Sequence, residues 1–242
     1  MSVEQAERET DGPQAAPVLT IDGPSGAGKG AVSARVAEAL AWRVLDSGAV
    51  YRAVALAALD RDIDAEQREA LIDLSRDLPL EFRPGRDGID VLLDGEPVGD
   101  RLRTEPVSVM ASKVAAIPEV REALLDLQRG CRRPPGLVAD GRDMGTVVFP
   151  DAPVKVFLEA SVEERARRRY NQLKEKGEPV ILARLFRDMQ ERDRRDRERS
   201  VAPTVPAPDA IVIDSTAMGL DDVVASILDR VRRNLDLPPE GK

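Results

Sequence analysis

The sequence predicts an α/β fold: a parallel sheet flanked by helices on both faces. Short apolar runs at residues 18–22, 137–139, 154–158 and 210–213 read as buried strands. Stretches of helical spacing separate them, the alternation that builds a parallel sheet. The 242 residues suffice for one large domain carrying an insert.

The elements follow in order. Residues 1–16 are polar and aperiodic, a disordered tail before a domain spanning 17–236. Val18 to Asp22 is a strand, Gly23 to Gly28 a glycine-rich loop, and Lys29 to Ala41 a helix rich in Ala, Val and Leu. Arg43 to Leu45 is a second short strand. Ser47 is placed to cap the next helix, which carries Val50, Val54 and Leu56 to Leu59. A βαβ unit takes roughly 30 residues, yet the next strong strand comes only at Leu137. Residues 62–117 therefore read as an insert. Within it Ile89, Val91 and Leu93 alternate before an Asp94–Gly95 turn, and Pro84 to Gly88 marks another turn, giving an antiparallel hairpin or small sheet near 78–100. Two helices follow, with Pro118 at the first turn of the second.

After the strand at 154–158, Ser161 and Glu164 form a capping box that opens a helix ending near Gly177 to Pro179. A second charged helix runs from about Val180 to Arg199, and Pro203, Pro206 and Pro208 break it. A last strand, Ala210 to Ile213, and a last helix, Leu220 to Leu235, complete the chain.

Composition narrows the chemistry. Aromatics are 3%, so the core is aliphatic. No apolar run reaches membrane-spanning length, and the polar N-terminus is unlike a secretion signal, so the expected location is cytoplasmic. The single cysteine, Cys131, excludes an internal disulfide framework and a multi-cysteine zinc site, and reads as a small helix residue. With no histidine, imidazole base catalysis, histidine metal sites and Ser-His-Asp triads are excluded together. The net charge of -8 argues against general nucleic-acid binding. Residues 161–200 nevertheless hold 13 Lys/Arg against 9 Asp/Glu, a basic patch suited to a specific anion.

Gly23, Pro24, Ser25, Gly26, Ala27, Gly28, Lys29 and Gly30 follow a strand and open a helix, the context a phosphate-binding P-loop requires. Backbone N–H groups converge there on phosphate oxygens, the helix N-terminus adds partial positive charge, and Lys29 supplies a full one. The loop departs from the usual pattern after the lysine. Gly30 and Ala31 lack the hydroxyl that would bind Mg²⁺, which leaves the metal to water and nucleotide oxygens. A switch GTPase is disfavoured: neither Asn171 nor Asn234 precedes a lysine, and no aspartate lies three residues before a glycine.

Asp46 to Arg52 and Asp140 to Asp143 each follow a parallel strand, where open α/β sheets bind ligands. Arg52 and Arg142 suit bidentate phosphate binding. Asp143 suits an amino donor, although Asp140 to Asp143 also fits a plain turn. Arg165, Arg167, Arg168 and Arg169 follow the capping box, and Arg192, Asp196 and Arg199 share one helix face at i, i+4 and i+7. Spacing alone favours a solvated, salt-bridged helix for these. Beside a phosphate loop they also suit charge neutralisation in phosphoryl transfer, on a helical pair hinged at residues 177–179.

Taken together, Gly23 to Gly30, Asp46 to Arg52 and Asp140 to Pro150 resemble the bacterial cytidylate kinase family, over nearly the whole of residues 18–235. The resemblance implies a P-loop NTPase fold of the nucleoside monophosphate kinase kind, with the small antiparallel-sheet insert binding the acceptor and a helical lid at about 161–200. It implies phosphorylation of CMP and dCMP by ATP with Mg²⁺, in pyrimidine nucleotide metabolism. The loop from Gly23 to Ala31 would hold ATP. Arg52 and Arg142 would grip the acceptor phosphate, with Ser47 and Tyr51 lining that pocket. Ser112, Arg121 and Asp143 would read the cytosine; by themselves Ser112 and Arg121 look like ordinary helix-surface residues. Asp196 with Arg192 would contact the sugar, Arg199 would lie close by, and Asp140 would anchor the arginines or the metal. Lys29, Arg142 and Arg192 are the expected catalytic residues. No dedicated protein metal site, nucleic acid, membrane or second subunit is expected. A kinase for another small acceptor and a non-catalytic nucleotide binder are the competing readings.

Overall fold

The computed structural model describes residues 16–85, 88–175, 177, 179–198 and 201–237. The first unit is β1 (Val18–Asp22), α1 (Lys29–Leu40), β2 (Arg43–Asp46) and α2 (Ser47–Leu59). An insert follows: α3 (Arg68–Arg76), then β3 (Leu80–Gly85), β4 (Gly88–Leu93) and β5 (Glu96–Pro97), then α4 (Glu105–Val114). α5 (Pro118–Gly130) returns the chain to β6 (Leu137–Gly141) and a π-helical turn at Met144–Val148. β7 (Val154–Glu159), α6 (Val162–Glu175), α7 (Leu182–Glu198), β8 (Ile211–Asp214) and α8 (Leu220–Asn234) complete it.

The main sheet is parallel throughout, in the order β2-β6-β1-β7-β8. Pleating sends successive residues to opposite faces. Val18, Leu45, Leu137 and Ala139 thus pack with α2, α4 and α5 on one side. Leu19, Ile21, Val44 and Val138 pack with α1 and α8 on the other. Two aliphatic cores bury both faces, which is why these strands read as unbroken apolar runs. β1 lies at the centre, so the loop leaving its C-terminal end emerges mid-sheet, flanked by the ends of β6 and β7.

The insert forms the expected small antiparallel sheet, in the order β3-β4-β5. Asp94 and Gly95, at φ 54° and 80°, make the predicted tight turn. The predicted turn at Pro84 to Gly88 is tighter than expected: Pro84, Gly85 and Gly88 pair within the ladder, and residues 86 and 87 lie outside the described residues. Phe82 and Ile89 pack onto the core beneath α1.

Four sequence expectations are corrected. Helix α3 was not expected; its apolar face buries Leu71 and Leu74. The predicted tail included Ala16, but Ala16 is buried and its carbonyl accepts from Arg132 at 2.7 Å; residues 1–15 lie outside the described residues. Ser47 does not cap α2. Asp46 does, accepting from the Ala49 N–H at 2.8 Å, because a carboxylate one residue earlier reaches the free N–H groups better than a hydroxyl already inside the helix. The capping box of α6 is half made. Ser161 Oγ accepts from the Glu164 N–H at 3.2 Å, while the Glu164 carboxylate turns to Arg167 and Arg168.

At the N-terminal edge of the sheet, a Cβ on Gly136 would lie 2.4 Å from ring carbons of the buried Trp42. Gly136→Ala should overpack this corner and cost about 1–3 kcal/mol. The check is the urea midpoint followed by circular dichroism; an unchanged midpoint contradicts it.

Candidate active site

Gly23 to Gly28 wraps the start of α1. Gly23 has φ 147°, and a Cβ there would sit 2.0 Å from the Leu158 carbonyl, so only glycine lets the chain turn so tightly against β7. Gly28, at φ 92°, opens α1 without a capping side chain, and the first turn carries no acid. Its N–H groups are therefore left for an anion.

Lys29 is 6% exposed; Nζ donates to the Pro24 carbonyl at 3.0 Å and lies 3.8 Å from Asp140 Oδ1. Burial, then the nearby Arg142, push the ammonium down to about 8, while Asp140, Asp22 and Asp46 pull it back. Burial pushes the Asp140 carboxyl well up, against the pull of Lys29. An incoming polyphosphate would satisfy that ammonium better than a carbonyl and one offset carboxylate do.

The acceptor-side residues gather around Asp140 to Asp143. Asp46 Oδ2 accepts from Arg52 at 3.1 Å, so one carboxylate both caps α2 and aims Arg52. The Arg52 Nε is buried with no hydrogen-bond partner among the described residues. Arg142 Nε lies 3.3 Å from Asp196 Oδ2, and Arg192 Nε lies 3.9 Å from the same oxygen. Loss of water, then Arg142, pull the Arg192 guanidinium down to about 10, with Asp196 opposing and Arg52 adding to the fall. Half of the Arg192 side chain still meets solvent, so the like charges around it matter more than burial. Two arginines sharing one carboxylate, with Arg52 close by on another, make a ready anion site.

Beside them, Arg121 donates to Asp143 Oδ2 at 2.8 Å and its guanidinium lies 5.6 Å from the Tyr51 ring centroid. These three residues line a cavity of about 200 Å³ together with Gln128, Val147 and Val148. A cavity of about 620 Å³ between the end of α2 and α4 contains none of the phosphate-loop or arginine residues.

Ser47 is buried at the start of α2. Ser112, the one expected acceptor residue inside 62–117, is exposed on α4, and its Oγ donates to its own helix at Ser108. Arg199 lies outside the described residues. Gly30 and Ala31 supply no metal ligand, but a Cβ at Gly30 would lie 3.7 Å from Asp140 Oδ2, so a carboxylate stands near where the usual hydroxyl would be. Among the described residues no cluster of three or more acidic or thiol side chains could hold a metal.

Arg165, read in the sequence only as one of a run suited to a solvated helix or to charge neutralisation, is an internal anchor. It is 2% exposed, with Nε donating to the Ala160 carbonyl at 2.9 Å and Nη1 to the Ser25 carbonyl at 2.8 Å. Both outer nitrogens pair with the Asp193 carboxylate on α7. Arg168 donates to Ser215 Oγ and its carbonyl, and reaches the Ala27 carbonyl at 3.5 Å. Helix α6 thus grips the outer rim of the phosphate loop. α7 has no buried side chain and is held over the site chiefly by charge. Sequence reading passed over Asp22, Asp46 and Asp193. Asp46 carried a usable signal as an acid directly before a helix; Asp193 carried none, because its partner lies 28 residues away. Cys131 lies just past α5, half-buried, with burial pushing its thiol up, as befits an inert residue.

Two outcomes follow. Asp193→Ala strands the Arg165 guanidinium in a dry site and should cost about 3–5 kcal/mol in chemical denaturation; a loss below 1 kcal/mol would show that water reaches it. Affinity for a triphosphate nucleotide should fall as pH rises through about 8, because the Lys29 ammonium is lost there. Titration calorimetry between pH 7 and 9.5 on the native chain and on Lys29→Arg, which keeps its charge, checks this; parallel curves would contradict it.

Comparison with known proteins supplies the family. A cytidylate kinase family model matches residues 19–233. A cytidylate kinase from Aeromonas hydrophila is 56% identical over 216 residues, covering 89% of this chain and 94% of the relative. One from Yersinia enterocolitica is 56% identical over 223 residues, covering 92% and 97%. Among solved structures, a gluconokinase from Sinorhizobium meliloti covers 91% of this chain and 95% of its own, at 16% identity and a TM-score of 0.45. With its phosphate loop and arginine cluster meeting at the end of β6, and with more than half of its aligned residues shared with those two relatives, the chain belongs to the cytidylate kinase family.

Proposed function

We propose that this chain transfers the γ-phosphoryl group of ATP to CMP and dCMP, giving ADP with CDP or dCDP. The observation that carries the reading is the join at β6. Asp140 lies 3.8 Å from the phosphate-loop Lys29, and Arg142, two residues on, stands in the arginine cluster. Donor and acceptor phosphates bound there face one another at one sheet edge.

Lys29 and the N–H groups from Gly23 to Ala31 bind the β- and γ-phosphates. Arg52, Arg142 and Arg192 hold the acceptor phosphate and neutralise charge on the moving group, with Ser47 and Tyr51 at the pocket wall. The attacking phosphate oxygen is already ionised, so no side chain has to remove a proton. That fits a chain with no histidine. Asp143 accepts from the exocyclic amino group of cytosine and repels the carbonyl that uracil places there, with Arg121 fixing its carboxylate. Ser112, exposed on α4, reaches the acceptor by movement of that helix. Asp196 sits beside the sugar.

Mg²⁺ fits as a guest of the nucleotide. Asp140 offers one carboxylate near Gly30, and water and phosphate oxygens complete the shell. The ion supplies charge neutralisation on the phosphates. Helices α6 and α7 form a lid that excludes water when both nucleotides are bound. Both anion sites come from one chain, so the reaction needs no second subunit.

A coupled ADP assay with a panel of acceptors tests this. CMP and dCMP should be turned over well, and UMP and AMP poorly. Lys29→Ala should lose activity with every acceptor, by about 10²-fold or more. Asp143→Asn should mainly lose preference for cytosine over uracil, by about 1–3 kcal/mol. Equal turnover of CMP and UMP by the native enzyme would overturn the base assignment, and ADP production indifferent to CMP would overturn the kinase reading.

A further inference from the structure

Asp22 ends β1, directly before the first loop glycine, and is 5% exposed. Its two carboxylate oxygens are each used once. Oδ1 accepts the Met144 N–H at 2.8 Å and Oδ2 accepts the Gly145 N–H at 2.8 Å. Met144 and Gly145 begin the π-helical turn, and the two residues before them are Arg142 and Asp143. Such turns are rare and lack the regular bond ladder that would hold them unaided.

The contact is close and specific. A Cβ on Gly145 would lie 2.9 Å from Thr20 Oγ1 and 3.4 Å from Asp22 Oδ2, so the backbone approaches β1 as only glycine allows. Burial pushes the Asp22 carboxyl up to about 6, against the pull of the two N–H groups. A buried carboxylate is a costly way to fill space, and here it serves two otherwise unsatisfied donors.

We propose that Asp22 is a positioning residue for the acceptor site: its carboxylate fixes the backbone that aims Arg142 and Asp143 and ties that backbone to the strand leading into the phosphate loop. It acts through these neighbours and touches no reacting atom. The inference rests on the acceptor roles given above to Arg142 and Asp143. Asp22 stands on the central strand, so the loop of β6 is registered against the most rigid part of the sheet. Acceptor binding and base choice therefore depend on Asp22 more than ATP binding does, because the loop amides and Lys29 make the latter and Asp22 pulls on the Lys29 ammonium less than Asp140 does.

The test is Asp22→Asn, which keeps the shape but leaves one oxygen for two N–H donors and turns an NH₂ group toward the other. The KM for CMP should rise about tenfold, the scale of one charged hydrogen bond. The CMP-over-UMP ratio of kcat/KM should fall several-fold, and the KM for ATP should stay within about twofold. Gly145→Ala attacks the same contact from the other side and should reproduce the pattern; it decides the matter if Asp22→Asn does not fold. In the native protein the Met144 and Gly145 amides should exchange slowly with deuterium. A lower melting temperature with both KM values unchanged, or an equal rise in both, overturns the proposal. A native enzyme that fails to prefer CMP faults the reading of the function instead, and the clamp is then judged on the KM of whichever acceptor it does use.

Discussion

Mutual repulsion among cations is the constraint on which this structure turns. Lys29, Arg52, Arg142 and Arg192 stand close enough to lower one another's hold on a proton. Three carboxylates on three elements hold the four: Asp140 on β6 for Lys29, Asp46 at the end of β2 for Arg52, and Asp196 on α7 for both Arg142 and Arg192. None of these pairings is ideal. The Lys29 contact is 3.8 Å, one Asp196 oxygen serves two arginines, and the Arg52 Nε has no hydrogen-bond partner among the described residues. A site so arranged is stable enough to fold and under-neutralised enough to favour polyanions.

The fold was largely legible because each strand of the parallel sheet is buried on both faces, which leaves an unbroken apolar run in the sequence. The phosphate loop was legible because its glycines answer to local backbone geometry. The positioning residues were harder to read. Asp22 meets its partners more than 120 residues later, and Arg165 reaches Ser25 across 140. No local period records such pairings. The same limit hides the burial of Arg165, which shares a run with Arg167, Arg168 and Arg169, none of them buried, and differs in what the fold lays over it. Helix α3 escaped notice because its nine residues span little more than two turns.

Helices α6 and α7 are attached in different ways, and the difference suits a lid. α6 is seated by buried Ala166 and Leu173 and by Arg165, whose guanidinium is bonded to two carbonyls. α7 contributes no buried side chain, and its ion pairs to Arg165 and Arg142 are directional but exchangeable. Segments with little buried apolar area open at low free energy. The helix bearing Arg192 and Asp196 is thus the part of the site best able to move without disturbing the sheet.

The only tryptophan, Trp42, packs against Gly136 where β6 begins, while Asp140 beside Lys29 and Arg142 beside Asp196 stand where β6 ends. Five residues of extended chain put about 16 Å between those ends. The indole is enclosed by the aliphatic core between α1 and α8. Its natural emission therefore reads the packing of this corner, and unfolding of the sheet would expose the ring to water.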